Sequence, residues 1–184
     1  SKYRNSGQTC VCTNRFFVQD GIYDQFTERL KKAVRELKLG YGFDEGVTTG
    51  PLINRQAVED VEKRVQASVA QGATVALGGQ RSSLGDCFYE PTVMTDVRND
   101  MPIAKEEIFG PVAPIIRFQT EEQVVQMANE TTVGLAAYLY TRDLGRSWRI
   151  SEALEYGMVG INEGIVSNEA APFGGVKESG FGRE

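Results

Sequence analysis

The chain has 184 residues, 41% of them hydrophobic and 24% charged, with a net charge of −5 at pH 7. That is enough chain to bury a real core, and the composition is that of a globular domain. The acidic balance, with no basic stripe, excludes nucleic acid as a partner, and no apolar run approaches membrane-spanning length.

Residues 14–19 read as a strand around the apolar Phe16, Phe17 and Val18. Asp20 offers an N-cap, and Ile22, Phe26, Leu30, Ala33, Val34 and Leu37 follow at helical spacing until Gly40. Residues 44–51 form a loop rich in Gly and Thr. Asn54 caps a second helix with Val58, Val61, Val65 and Val69 on one face and Gly72 past its end. Residues 74–77 make a short strand closed by Gly78-Gly79, residues 81–86 a polar loop, and residues 89–97 an extended stretch interrupted by Pro91. Residues 112–118 read as a strand, and Thr120 caps a helix bearing Val124, Val125 and Met127. Residues 135–140 are a strand, residues 143–156 a helix with Leu144, Trp148 and Leu154 inward, and residues 158–162 a further strand. After Ser167 the chain is Gly-rich and loop-like. Strands alternating with helices predict an α/β fold with a largely parallel sheet flanked by helices.

Ser6-Gly7-Gln8-Thr9-Cys10 sets a cysteine directly behind a small, polar, turn-forming segment. The chain has no histidine, so a nucleophilic Cys10 would draw its activation from backbone N–H groups, nearby cations or a base elsewhere. The alternative for Cys10 is a buried small hydrophobe. Three cysteines are an odd number and too sparse for a disulfide scaffold, and without histidine no metal site is expected. A reducing compartment follows.

Four segments in order carry a resemblance: residues 5–10 (Asn-Ser-Gly-Gln-Thr-Cys), 106–111 (Glu-Glu-Ile-Phe-Gly-Pro), 134–137 (Gly-Leu-Ala-Ala) and 172–180 (Pro-Phe-Gly-Gly-Val-Lys-Glu-Ser-Gly). Together they resemble the catalytic domain of the NAD(P)-dependent aldehyde dehydrogenases, over essentially the whole chain. The resemblance implies that Cys10 attacks the aldehyde, with its own backbone N–H as one oxyanion donor. It implies that Glu107 binds the hydroxyls of the nicotinamide ribose and that Phe109 lies beside the nicotinamide. Read without the family, Glu107 is an exposed acid and Phe109 a core residue. No Gly-x-Gly-x-x-Gly segment opens a helix here. The resemblance implies that residues 1–184 are a catalytic-domain fragment lacking the N-terminal dinucleotide-binding domain, with the general base and part of the oxyanion hole also lying upstream. NAD or NADP would be bound mainly by the absent domain.

Residues 2–12 and 160–164 resemble the branch of the family that oxidises succinate semialdehyde in 4-aminobutyrate degradation. The resemblance implies that Arg4 and Ser167 bind the distal carboxylate of the substrate, with Phe173 in the loop that lines the site. A guanidinium fork suits a carboxylate. A surface salt bridge for Arg4, and a hydroxyl satisfied by its own loop for Ser167, are the alternatives. The five-carbon glutarate semialdehyde is the neighbouring substrate. Cys10 and Cys12 stand two apart, the spacing of a reversible oxidation switch in this branch; the alternative is that Cys12 merely packs. The partners implied are a small-molecule aldehyde and further copies of the chain, as a dimer or tetramer. The expected compartment is the cytoplasm or the mitochondrial matrix, with no secretion.

Overall fold

Strand β4 (Val112–Phe118) is buried along its first five residues. An interior strand of a parallel sheet is covered on both faces, so it reads as a continuous apolar run rather than an alternation. The computed structural model describes residues 1–184, which divide into two units: Lys2–Phe118, and Gln119–Glu184 together with Ser1. No helix is long and apolar enough to cross a membrane.

In the unit Lys2–Phe118, β4 lies between β1 (Phe16–Gln19) and β3 (Thr92–Val97), parallel to both, and β2 (Thr74–Leu77) adds antiparallel to β3. Phe16 stands opposite Ile115, and Val93 opposite Ala113. Helix α1 (Tyr23–Arg35) packs on β3 and buries Tyr23, Thr27 and Val34. Its core partners are Val18, Val93 and Ile115. Helix α2 (Arg55–Ala70) buries Val58, Val61, Val65 and Ser68. Ser68 Oγ accepts the Ile103 N–H at 3.1 Å, which joins α2 to the short α3 (Pro102–Lys105).

In the unit Gln119–Glu184, β6 (Ala136–Leu139) and β7 (Met158–Ile161) pair in parallel. Helices α4 (Glu121–Asn129) and α5 (Leu144–Ala153) accompany them. A second, two-stranded ladder joins β5 (Val133–Gly134) antiparallel to β8 (Val176–Lys177).

The largely parallel α/β expectation is borne out, and two of the three caps read from sequence are made: Asn54 accepts from Ala57 N–H and Thr120 from Gln123. The structure adds a cap at Asp143, which accepts from Arg146. Two readings need correction. Asp20 does not cap α1; its carboxylate pairs with Arg117, whose guanidinium also lies 3.8 Å from the centre of the Tyr23 ring. Leu144 and Trp148 do not point inward; they are 85% and 69% exposed, and Ser147 and Ile150 are the buried residues of α5. A helical period shows which residues share a face, not which face the rest of the chain covers.

Ile115 is fully buried in this core. Ile115→Ala is expected to cost about 2–5 kcal/mol in a denaturant titration, whereas Ile165→Ala, at an exposed loop position, stays within about 0.5 kcal/mol.

Candidate active site

The segment leading to Cys10 is held in an unusual backbone conformation. Asn5, Ser6 and Gly7 have φ of 50°, 56° and 78°, three left-handed residues in succession. Side chains compensate for this. Ser6 Oγ donates to the Gly50 carbonyl at 2.7 Å, and Gln8 Oε1 accepts the Ile53 N–H at 2.8 Å. Gln8 Nε2 also reaches the carbonyls of Asn5 and Pro51. A turn follows, closed by the Cys12 N–H on the Thr9 carbonyl at 2.8 Å. Within that turn Val11 is 5% exposed and sinks into the core, so Cys10 is turned out to solvent. The Cys10 N–H donates to no group in the chain, which leaves it available beside its own sulfur. Cys12 Sγ lies 3.8 Å from the Arg4 carbonyl.

The Glu107 segment is built against this loop. A Cβ on Gly7 would collide with the carbonyl of Gly110, so only glycine permits the contact. Glu107 is exposed and its carboxylate has no hydrogen-bonded or ion-paired partner. Phe109 is 44% exposed and has a φ of 46°, a strained value for a bulky residue. The structure thus brings Cys10, Cys12, Arg4, Glu107 and Phe109 into one unit, on two segments in backbone contact. An open carboxylate followed by an open aromatic ring fits the nicotinamide-ribose end of a dinucleotide: acceptor oxygens for a diol and a flat apolar surface for a ring. No group of three or more potential metal ligands is present.

Arg4 is exposed, and its guanidinium makes no ion pair within residues 1–184. Sequence reasoning missed Lys2. This residue is 3% exposed. Burial pushes it down to about 8, while the negative fields of Cys12 and Glu107 pull it part of the way back up. Nothing in the local sequence signals this burial, because it depends on contacts with distant segments.

Ser167 and Phe173 lie in the unit Gln119–Glu184. Ser167 is exposed, and its hydroxyl is not taken up by the loop. The backbone around it is braced. Glu163 Oε1 accepts from Gly164 and Ile165, and Asn168 Oδ1 accepts from Ala170. Phe173 is half-buried and exchanges two backbone hydrogen bonds with Glu184, at 3.1 and 2.8 Å. Arg183 closes the same loop by donating to the carbonyls of Gly175 and Gly182. A Cβ on Gly157 would strike the Gly174 carbonyl, so glycine again allows backbone to meet backbone.

Residues 1–184 match the family model described as the aldehyde dehydrogenase family. The chain is 61% identical over 184 residues to the mitochondrial succinate-semialdehyde dehydrogenase of Arabidopsis thaliana, covering 100% of this chain and 35% of that protein. It is 55% identical, again over its full length and 38% of the relative, to a glutarate-semialdehyde dehydrogenase of Pseudomonas aeruginosa. Among solved structures, succinate-semialdehyde dehydrogenase from Burkholderia pseudomallei superposes with a TM-score of 0.98 at 61% identity, over 100% of this chain and 38% of that one. The chain belongs to the aldehyde dehydrogenase family, and it spans little more than a third of the length of these relatives.

Lys2 gives a pH signature. Its folded value, about 8, lies below the ordinary 10.5, so folding disfavours the charged form. Below pH 8 both states are protonated and the full penalty applies, a few kcal/mol at about 1.4 kcal/mol per pH unit. Between pH 8 and 10.5 the unfolded chain binds more protons, so stability from this residue rises with pH. Lys2→Met is expected to raise stability at pH 7 by a few kcal/mol and to flatten that alkaline rise; denaturant titrations from pH 7 to 11 measure both.

Proposed function

We propose that residues 1–184 are the catalytic part of a longer, homo-oligomeric NAD(P)-dependent dehydrogenase that oxidises succinate semialdehyde to succinate. The observation that carries this reading is the pairing of two uncommitted groups on one segment. An exposed Arg4 without a partner charge stands six residues before an exposed Cys10 whose backbone N–H is also free. The Arabidopsis and Burkholderia relatives, named for this substrate, support it. The Pseudomonas relative supports a second reading, the five-carbon glutarate semialdehyde. Both substrates present an aldehyde at one end and a carboxylate at the other.

The chemistry follows from the groups present. The Cys10 thiol adds to the aldehyde carbon, a C–S bond forms, and the carbonyl π pair moves onto oxygen. The thiol proton passes to a base outside residues 1–184. The free Cys10 N–H donates to the new oxyanion, alongside a second donor also outside these residues. Arg4 holds the far carboxylate, so the aldehyde end is presented to sulfur. Glu107 would hold the ribose diol and Phe109 the nicotinamide face. The dinucleotide, when bound, supplies the hydride acceptor that turns the adduct into a thioester. Water then releases the acid and restores the Cys10 thiol. The compartment is cytoplasmic or mitochondrial, the Arabidopsis relative being named as mitochondrial.

In the complete protein, Cys10→Ser is expected to abolish turnover while leaving dinucleotide affinity within about threefold; near-normal turnover would refute covalent catalysis at Cys10. Arg4→Ala should raise KM for succinate semialdehyde by about one to two decades, the scale of a charge-assisted pair, with much less effect on butyraldehyde. Arg4→Lys should recover part of the loss, since an ammonium keeps the charge and lacks the fork. Equal losses on both aldehydes would mean that Arg4 supports the loop and does not read the substrate.

A further inference from the structure

Asn14 lies between the Cys10 turn and β1, and it belongs to neither. Its side chain crosses to the Glu107 segment, more than ninety residues away in sequence. Asn14 Oδ1 accepts the Ile108 N–H at 2.9 Å, and Asn14 Nδ2 donates to the Glu106 carbonyl at 3.0 Å. The two partners fix the orientation of the amide, because an N–H demands the oxygen and a carbonyl demands the nitrogen. A carboxamide has the donor and acceptor of a peptide group. Asn14 therefore does for residues 106–108 what a neighbouring strand would do, using one side chain.

The three residues it spans are sorted by their own side chains. Ile108 is 2% exposed and anchored in the core, and the Glu106 carboxylate pairs with Arg64 at 2.9 Å. Glu107, between them, is exposed and unpaired. Both backbone bonds of Asn14 thus bracket the one carboxylate that is left open. We propose that Asn14 is a positioning residue: it fixes the backbone on either side of Glu107 and so aims that carboxylate at the ribose of the dinucleotide, in register with the Cys10 turn. This deepens the reading above and rests on its assignment of Glu107.

The test uses the complete protein and a double-mutant cycle. Binding of NADH and NADPH is followed by nucleotide fluorescence, alkylation of Cys10 by iodoacetamide reports the turn, and thermal melting checks the fold. Asn14→Ala is expected to weaken binding of the preferred nucleotide about tenfold, the scale of a lost hydrogen bond. Asn14→Asp, which sets an oxygen against the Glu106 carbonyl, should weaken it at least as much. The alkylation rate without nucleotide should stay within about twofold. In a Glu107→Gln background, Asn14→Ala should add little, because the two residues act as one unit. Unchanged affinity in Asn14→Ala, or a loss that adds fully to that of Glu107→Gln, overturns the positioning role. If Glu107→Gln alone leaves affinity intact, the assignment of Glu107 falls and the proposal with it. If Asn14→Ala does not fold, Asn14→Asp carries the same cycle.

Discussion

Two places where backbone touches backbone organise the functional loops. In the unit Lys2–Phe118, Gly7 lies against the Gly110 carbonyl; in the unit Gln119–Glu184, Gly157 lies against the Gly174 carbonyl. A side chain at Gly7 or Gly157 would force the loops apart by the width of a methyl group. At Gly7 the positive φ adds a second requirement, since the preceding Asn5 and Ser6 already bear the cost of left-handed backbone. The contact makes the Cys10 loop and the Glu107 loop one object; Asn14 ties the two by hydrogen bonds, and Ser6 and Gln8 fasten the Cys10 loop to residues 50–53. Reaction geometry on the scale of an ångström needs supports of this kind.

The polar groups fall into two populations. Ser6, Gln8, Asn14, Asn168 and Arg183 are committed to backbone partners and act as scaffold. The Cys10 N–H and the side chains of Arg4, Glu107 and Ser167 are left without partners. A folded chain satisfies its buried polar groups almost completely, so exposed groups left free beside heavily braced backbone are where external chemistry can act.

Local signals were readable in the sequence. The caps at Asn54 and Thr120 depend on residues three apart, and the strands at residues 74–77 and 112–118 keep the bounds that their apolar runs suggest. The four motifs marked the candidate site because they hold the residue types its chemistry needs. Long-range dependence was not readable. Asn14 looks like a loop residue until Glu106 and Ile108 arrive beside it. Lys2 looks like a surface lysine until its surroundings bury it. The inward placement of Leu144 and Trp148 failed for the same reason, since their shared face is set by packing and not by periodicity.

The outward turn of α5 also decides what light can report. Trp148 is the only tryptophan of the chain, and at 69% exposure its indole emits from a largely aqueous setting. It samples the surface of one helix in the unit Gln119–Glu184. The core around Val18, Val93 and Ile115 contains no indole, so selective excitation of tryptophan leaves the four-stranded sheet optically silent. The same probe is well placed for anything that comes to cover α5, since displacing water from an indole shifts its emission to the blue.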